Sequence, residues 1–177
     1  MKLYKIYSRA IGLLFALSLL CVGCENEDIL DINDLEISPS NPESVIIVEP
    51  DDGITSVNAL TRAINENGDA TYILRRDGVY YMEGKNVFKH NVVIKAENGS
   101  GKMPIIQPIC DAQGALNADM IRLEGSATFE NIYIIGKDAA TGNLMQRLFR
   151  IDESNVRLKF DHCFIDHCRN FCIRTDN

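Results

Sequence analysis

Tryptophan is absent from the 177 residues, and no lysine or arginine occurs between Arg9 and Arg62. Formal charge is −7, and it becomes −10 once the three N-terminal cations Lys2, Lys5 and Arg9 are set aside. Phosphate neutralisation needs clustered cations, so this balance argues against nucleic acid as a partner. No apolar run is long enough to span a bilayer: residues 11–22 number about a dozen, against the roughly 20 that a spanning helix needs. Helical spacing of apolar residues is missing after Gly68, which excludes a fold whose parallel strands are joined by helices. With 46% hydrophobic and 24% charged residues, the remainder suffices for one domain with a real core.

The N-terminus reads as a targeting segment over residues 1–23. Lys2, Lys5 and Arg9 form its positive flank, residues 11–22 its apolar part. Leu20-Cys-Val-Gly-Cys24 resembles the bacterial lipobox, in which the cysteine after a small residue is lipidated; Cys21 stands where leucine is usual. The resemblance implies a lipid anchor on Cys24, with an ordinary secretory signal or a short membrane anchor as the alternatives. Glu25-Asn-Glu-Asp28 resembles the acidic tract that sends lipoproteins of Bacteroidetes-type bacteria to the outer face of the outer membrane, the alternative being a merely solvated tether. Residues 24–44 carry Glu25, Glu27, Asp28, Asp31, Asp34, Glu36 and Glu43 with Pro39 and Pro42, and they read as a self-repelling spacer ahead of a domain at 45–177.

That domain opens on a strand, Val45-Ile-Ile-Val48, closed by a turn at Pro50-Asp-Asp-Gly53. One short helix follows, with Thr55 or Ser56 as its cap, Val57, Leu60 and Ile64 at helical spacing, and Gly68 as its stop. A lone amphipathic helix before many strands suits an end cap. Strands are then expected at 72–75, 79–82, 87–88, 92–95 and 104–107.

Two later segments repeat one another. Met120-Ile-Arg-Leu-Glu matches Leu148-Phe-Arg-Ile-Asp, and Phe129-Glu-Asn-Ile-Tyr-Ile matches Phe160-Asp-His-Cys-Phe-Ile, at offsets of about 28 and 31 residues; a third short strand begins at Phe171. Such a period predicts an all-β fold, a right-handed parallel β-helix with one N-terminal capping helix; a β-sandwich, with shorter and more even hairpin spacing, is the alternative. A stack of about four coils without a visible C-terminal cap would expose strand edges, so the domain is expected to be incomplete or covered there by another chain.

Arg150-Ile-Asp-Glu-Ser-Asn-Val and Phe160-Asp-His-Cys163 resemble the central coil of pectate lyases. Asp77-Gly-Val-Tyr80 and Val93-Ile-Lys-Ala-Glu-Asn98 resemble the chondroitinase-B and alginate-lyase branch of that architecture. Together they cover roughly 45–175. The resemblance implies cleavage of an acidic polysaccharide by β-elimination: the uronate carboxylate is neutralised by calcium or by cations, and arginine or lysine removes the C5 proton. Residues do not carry over. Met145-Gln-Arg147 stands where the calcium-binding acids of pectate lyases lie, and the basic residues of both families fall on later coils. The functional expectation is therefore an exported, surface-anchored lipoprotein that binds or helps process polysaccharide, with no catalytic residue assigned and calcium implied only by resemblance. A complete lyase, or a structural surface protein or truncated gene product, are the alternatives.

Outward cations in the last coils, Arg150, Arg157 and Lys159, are candidates for uronate contact. Tyr80, Tyr81 and Tyr133 can stack on sugars or pack within sheets. His162, His167 and Cys168 are weak metal candidates among a dense run of His and Cys, but the repeat places Cys163 opposite Ile132 in the core and His162 opposite Asn131 at a turn. Spacing leaves the disulfide state of Cys110, Cys163, Cys168 and Cys172 open.

Overall fold

The computed structural model describes residues 44–176; the expected signal segment, Cys24 and all of the tether but its last residue lie outside them. The described residues fall in one compact unit, mostly β, with parallel sheets and one helix. A first sheet holds β1 (Val45–Val48), β2 (Ala70–Leu74), β5 (Val92–Ala96), β8 (Ala127–Glu130) and β11 (Leu158–Asp161), in that order. A second holds β3 (Val79–Glu83), β6 (Ile105–Ile109), β9 (Tyr133–Ile135) and β12 (Phe164–Asp166). A third holds β4 (Asn86–Phe88), β7 (Asp119–Leu123), β10 (Arg147–Ile151) and β13 (Phe171–Thr175).

From β2 onward the chain visits the first, second and third sheets in strict rotation, and each strand pairs in parallel with the strand three places ahead. Among the described residues no pair of named strands is antiparallel, which excludes the β-sandwich; the one antiparallel bridge, Lys137 with Leu144, lies inside a loop. The sequence repeat is this register. Ile121, Arg122 and Leu123 face Phe149, Arg150 and Ile151, while Phe129 and Tyr133 face Phe160 and Phe164.

Alternation sorts the side chains. In β5 Val92, Ile94 and Ala96 are buried and Val93 and Lys95 are not. Tyr72, Ile94, Phe129 and Phe160 thus form one inward column. Phe129 and Phe160 stack at 5.6 Å and 23°, and Phe149 meets both edge-on at 5.4 and 5.3 Å. Turns between sheets repeat as well: Asn131 and His162 share positive φ, 58° and 50°, and Cys163 packs against the core opposite Ile132 as expected. Gly125 is required by a close approach, since a Cβ there would lie 2.4 Å from the His90 carbonyl oxygen.

The helix, α1 (Ala59–Asn67), buries Leu60, Thr61 and Ile64 against the first four strands. Gly68 stops it as expected, at φ 74° and with its N–H on the Ile64 carbonyl at 2.9 Å. Its start differs from the expected cap. Thr55 and Ser56 belong to a preceding turn in which the Asp52 carboxylate accepts the N–H groups of Ile54, Thr55 and Ser56. The Thr55 hydroxyl, which also donates to it, and then those backbone bonds hold Asp52 well below the usual carboxylate range. The first helical N–H, that of Ala59, is instead accepted by Asp51 at 3.1 Å, a partner eight residues away that local spacing does not reveal.

Candidate functional site

Stacking in register brings Arg122, Arg150 and Arg174 into one outward column on the third sheet. Aspartates flank it. Arg147 Nε contacts Asp119 Oδ1, Arg122 contacts Asp152, and Arg150 reaches Asp152 at 2.7 Å, Asp176 at 2.5 Å and Asp119 at 3.6 Å. Arg174 holds the other oxygen of Asp176 at 2.6 Å. Desolvation works against the Arg150 charge, yet Asp152, Asp176 and Asp119 outweigh it and raise its pKa; Arg174 and Arg150 in turn hold Asp176 below the usual range. Arg150, expected to face a glycan, is thus engaged by three carboxylates of its own chain. Lys159 is on the outward side of the first sheet, in register with Thr128 and Val93, and Arg157 lies just before that strand, so the three candidates do not share one sheet.

Two long loops, residues 110–118 and 136–146, both leave the second sheet and enter the third. Between them lies a cleft of about 670 Å³, lined by the amides of Asn117, Asn143 and Gln146, by Leu116 and Leu144, and by Arg169. Among the described residues no ion pair engages Arg169, so its guanidinium borders the cleft unneutralised. Leu144, at the rim, is 39% exposed.

Asp138 ties the two loops together. Only 1% exposed, it accepts Cys110 N–H at 2.8 Å, Ala140 N–H at 2.9 Å, and the N–H and hydroxyl of Thr141 at 2.6 and 3.0 Å. Burial alone pushes its pKa up, but these bonds prevail and leave it below the ordinary value. A depressed folded pKa contributes stability that is present above the unfolded value of about 3.9 and is lost as pH falls through the folded one. Asp138→Asn is therefore expected to cost about 1–3 kcal/mol at neutral pH, by turning an amide N–H toward a backbone donor. The deficit relative to wild type should shrink as pH falls from about 4 toward 2. Urea titrations at several pH values check this, and a deficit that does not vary with pH contradicts it.

The His and Cys run separates into pairs. His162 Nδ1 lies 2.6 Å from Asp161, and His167 Nδ1 lies 2.8 Å from Asp166. Cys163 directs its thiol at the carbonyls of Phe129 and Asp161, at 3.3 and 3.4 Å, and burial pushes its pKa up. Cys168 and Cys172 approach to 2.9 Å; the hydrogen bond between them, with burial, pushes Cys172 up to about 11. Among the described residues no three His, Cys, Asp or Glu side chains are grouped to hold a metal, so His162, His167 and Cys168 are not brought into one site.

Of the tyrosines named from the sequence, Tyr80 is wholly buried, with its hydroxyl on the Val48 carbonyl at 2.7 Å; burial raises it to about 12 and removes it from any sugar. Tyr133 is half-buried beside Phe164 on the outward side of the second sheet, where they border an apolar groove of about 640 Å³ with Lys102, Met103 and Ile105. The sequence reading missed Asn117, Asn143 and Gln146, whose only signal is their place in two loops of similar position within the repeat. No protein-family model matches the chain, and no curated protein sequence matches it.

Proposed function

We propose that the domain is a right-handed parallel β-helix, exported and held at the bacterial surface through a lipid on Cys24, that binds an acidic polysaccharide without cleaving it. The strict rotation of strands among three parallel sheets supports the β-helix. The observation that carries the binding reading is the cleft between residues 110–118 and 136–146. Its three amide side chains offer donors and acceptors to sugar hydroxyls, and Arg169 offers a two-pronged cation to a uronate carboxylate or a sulfate. Binding rather than elimination is supported by the third sheet, where Arg122, Arg147, Arg150 and Arg174 are occupied by aspartates and thus poorly placed to act as bases.

Affinity electrophoresis of the full-length chain through pectate, alginate and chondroitin sulfate tests the reading. Retention by at least one polymer is expected, and Arg169→Ala is expected to weaken it about 10-fold or more, the loss of one charge-assisted contact. Equal retention of the variant, retention by none of the three polymers, or growth of unsaturated-uronate absorbance on incubation would each overturn it.

A further inference from the structure

The turn from β12 to β13 places two thiols together without needing them to attract one another. Its backbone is held by the preceding segment: Arg169 N–H donates to the Met145 carbonyl at 2.8 Å, and Asn170 and Phe171 donate to the Gln146 carbonyl at 3.1 and 3.2 Å. β13 is meanwhile fixed in parallel register on β10, Phe171 opposite Arg147 and Ile173 opposite Phe149. Neither anchor uses a thiol: one is the backbone of residues 169–171 between the two cysteines and the other the pairing of β13, and together they leave the Cys168 and Cys172 sulfurs 2.9 Å apart. A disulfide requires about 2.05 Å, so the sulfurs have less than about 1 Å to close. Cys163 is not a competitor, because its thiol is turned onto the carbonyls of Phe129 and Asp161. Cys172 is exposed, which gives an oxidant access.

We propose that Cys168 and Cys172 are a redox site, closing to a disulfide that clamps β13 to the turn before it. The oxidant is a small-molecule or protein disulfide, R–S–S–R. A thiolate of the pair attacks one of its sulfurs and releases one R–SH. The second cysteine then displaces the other R–SH from the mixed disulfide, so that two thiols are oxidised, one external disulfide is reduced, and both protons leave on the released thiols. β13 gains most, since all five of its residues are exposed and only one side of it is paired in the sheet. The proposal does not depend on whether the cleft binds glycan.

Trypsin separates the partners, because residues 160–169 carry Cys163 and Cys168 while residues 170–174 carry Cys172. The full-length chain is equilibrated with oxidised glutathione, free thiols are blocked, and the digest is read without reduction. The expected product is peptide 160–169 joined to peptide 170–174, with fragmentation placing the link on Cys168. It should persist in Cys163→Ser and vanish in Cys168→Ser and in Cys172→Ser. The oxidised wild type should also melt about 4–8 °C above its reduced form, whereas Cys172→Ser should show no shift between the two conditions. Recovery of Cys172 as free thiol or glutathione adduct, a link to Cys163, or a linked protein whose melting temperature is unmoved would each overturn the proposal.

Discussion

Phe149→Ala should cost about 3–5 kcal/mol, a large part of the roughly 5–15 kcal/mol that holds an ordinary domain folded. Phe149 is wholly buried and meets Phe129 and Phe160 edge-on, so its removal deletes two aromatic contacts and leaves a cavity between the third sheet and the first. On one side the wall has little freedom to collapse, because buried Ile121 on β7 is pinned by register opposite Phe149; on the other, Ile173 faces it from the exposed edge strand β13. With a urea slope of about 2 kcal/mol per molar, the midpoint falls by about 2 M. Circular dichroism is the suitable probe, since the chain has no tryptophan to report by fluorescence. Phe164→Ala provides the contrast. Its ring is 64% exposed on the outside of the second sheet, and its loss should cost no more than about 0.5 kcal/mol. Equal losses for the two variants would mean that the aromatic column is not the centre of the core.

What the sequence makes legible is whatever repeats. Inward side chains must be apolar at the same place in each round of the chain, so Phe129 and Phe160, or Ile121 and Phe149, announce their register by residue type and spacing alone. The same comparison places Cys163 in the core and His162 in a turn, and both are found there. Features that depend on which distant group a polar side chain chooses are hidden. Asp51 caps α1 across eight residues and also takes the Ser56 hydroxyl, while the Thr55 hydroxyl goes to Asp52, where local spacing alone favours either hydroxyl as the cap. Tyr80 can by its sequence either stack on a sugar or pack within a sheet, and what decides it is a distant group: its hydroxyl is satisfied inside by the Val48 carbonyl, and the ring goes in with it. The cleft amides lie in loops outside the strand repeat, so nothing in their spacing marks them. Arg150 is a mixed case: its alignment with Arg122 is visible, but the aspartates that claim it come from three different points in the chain.

Those aspartates set the second large effect. Asp119→Ala should cost about 2–4 kcal/mol, more than an exposed salt bridge would suggest. Asp119 is 5% exposed and the Arg147 side chain 14%, so removal of the carboxylate strands a guanidinium that is largely out of water. Arg150 loses less, because Asp152 and Asp176 still hold it. The loss therefore concentrates on one pair, which makes it separable. Asp119→Ala combined with Arg147→Met removes the stranded charge while keeping an apolar side chain of similar reach, and it should be more stable than Asp119→Ala alone. Added salt should restore little of the single variant's loss, since a charge this shielded from solvent is screened far less than one at the surface. The check is a urea denaturation cycle on the four proteins at low and high ionic strength. A single variant within about 0.5 kcal/mol of wild type, or a double variant weaker than the single, would mean that the third sheet is held by strand pairing alone and that its arginines are free to meet a ligand.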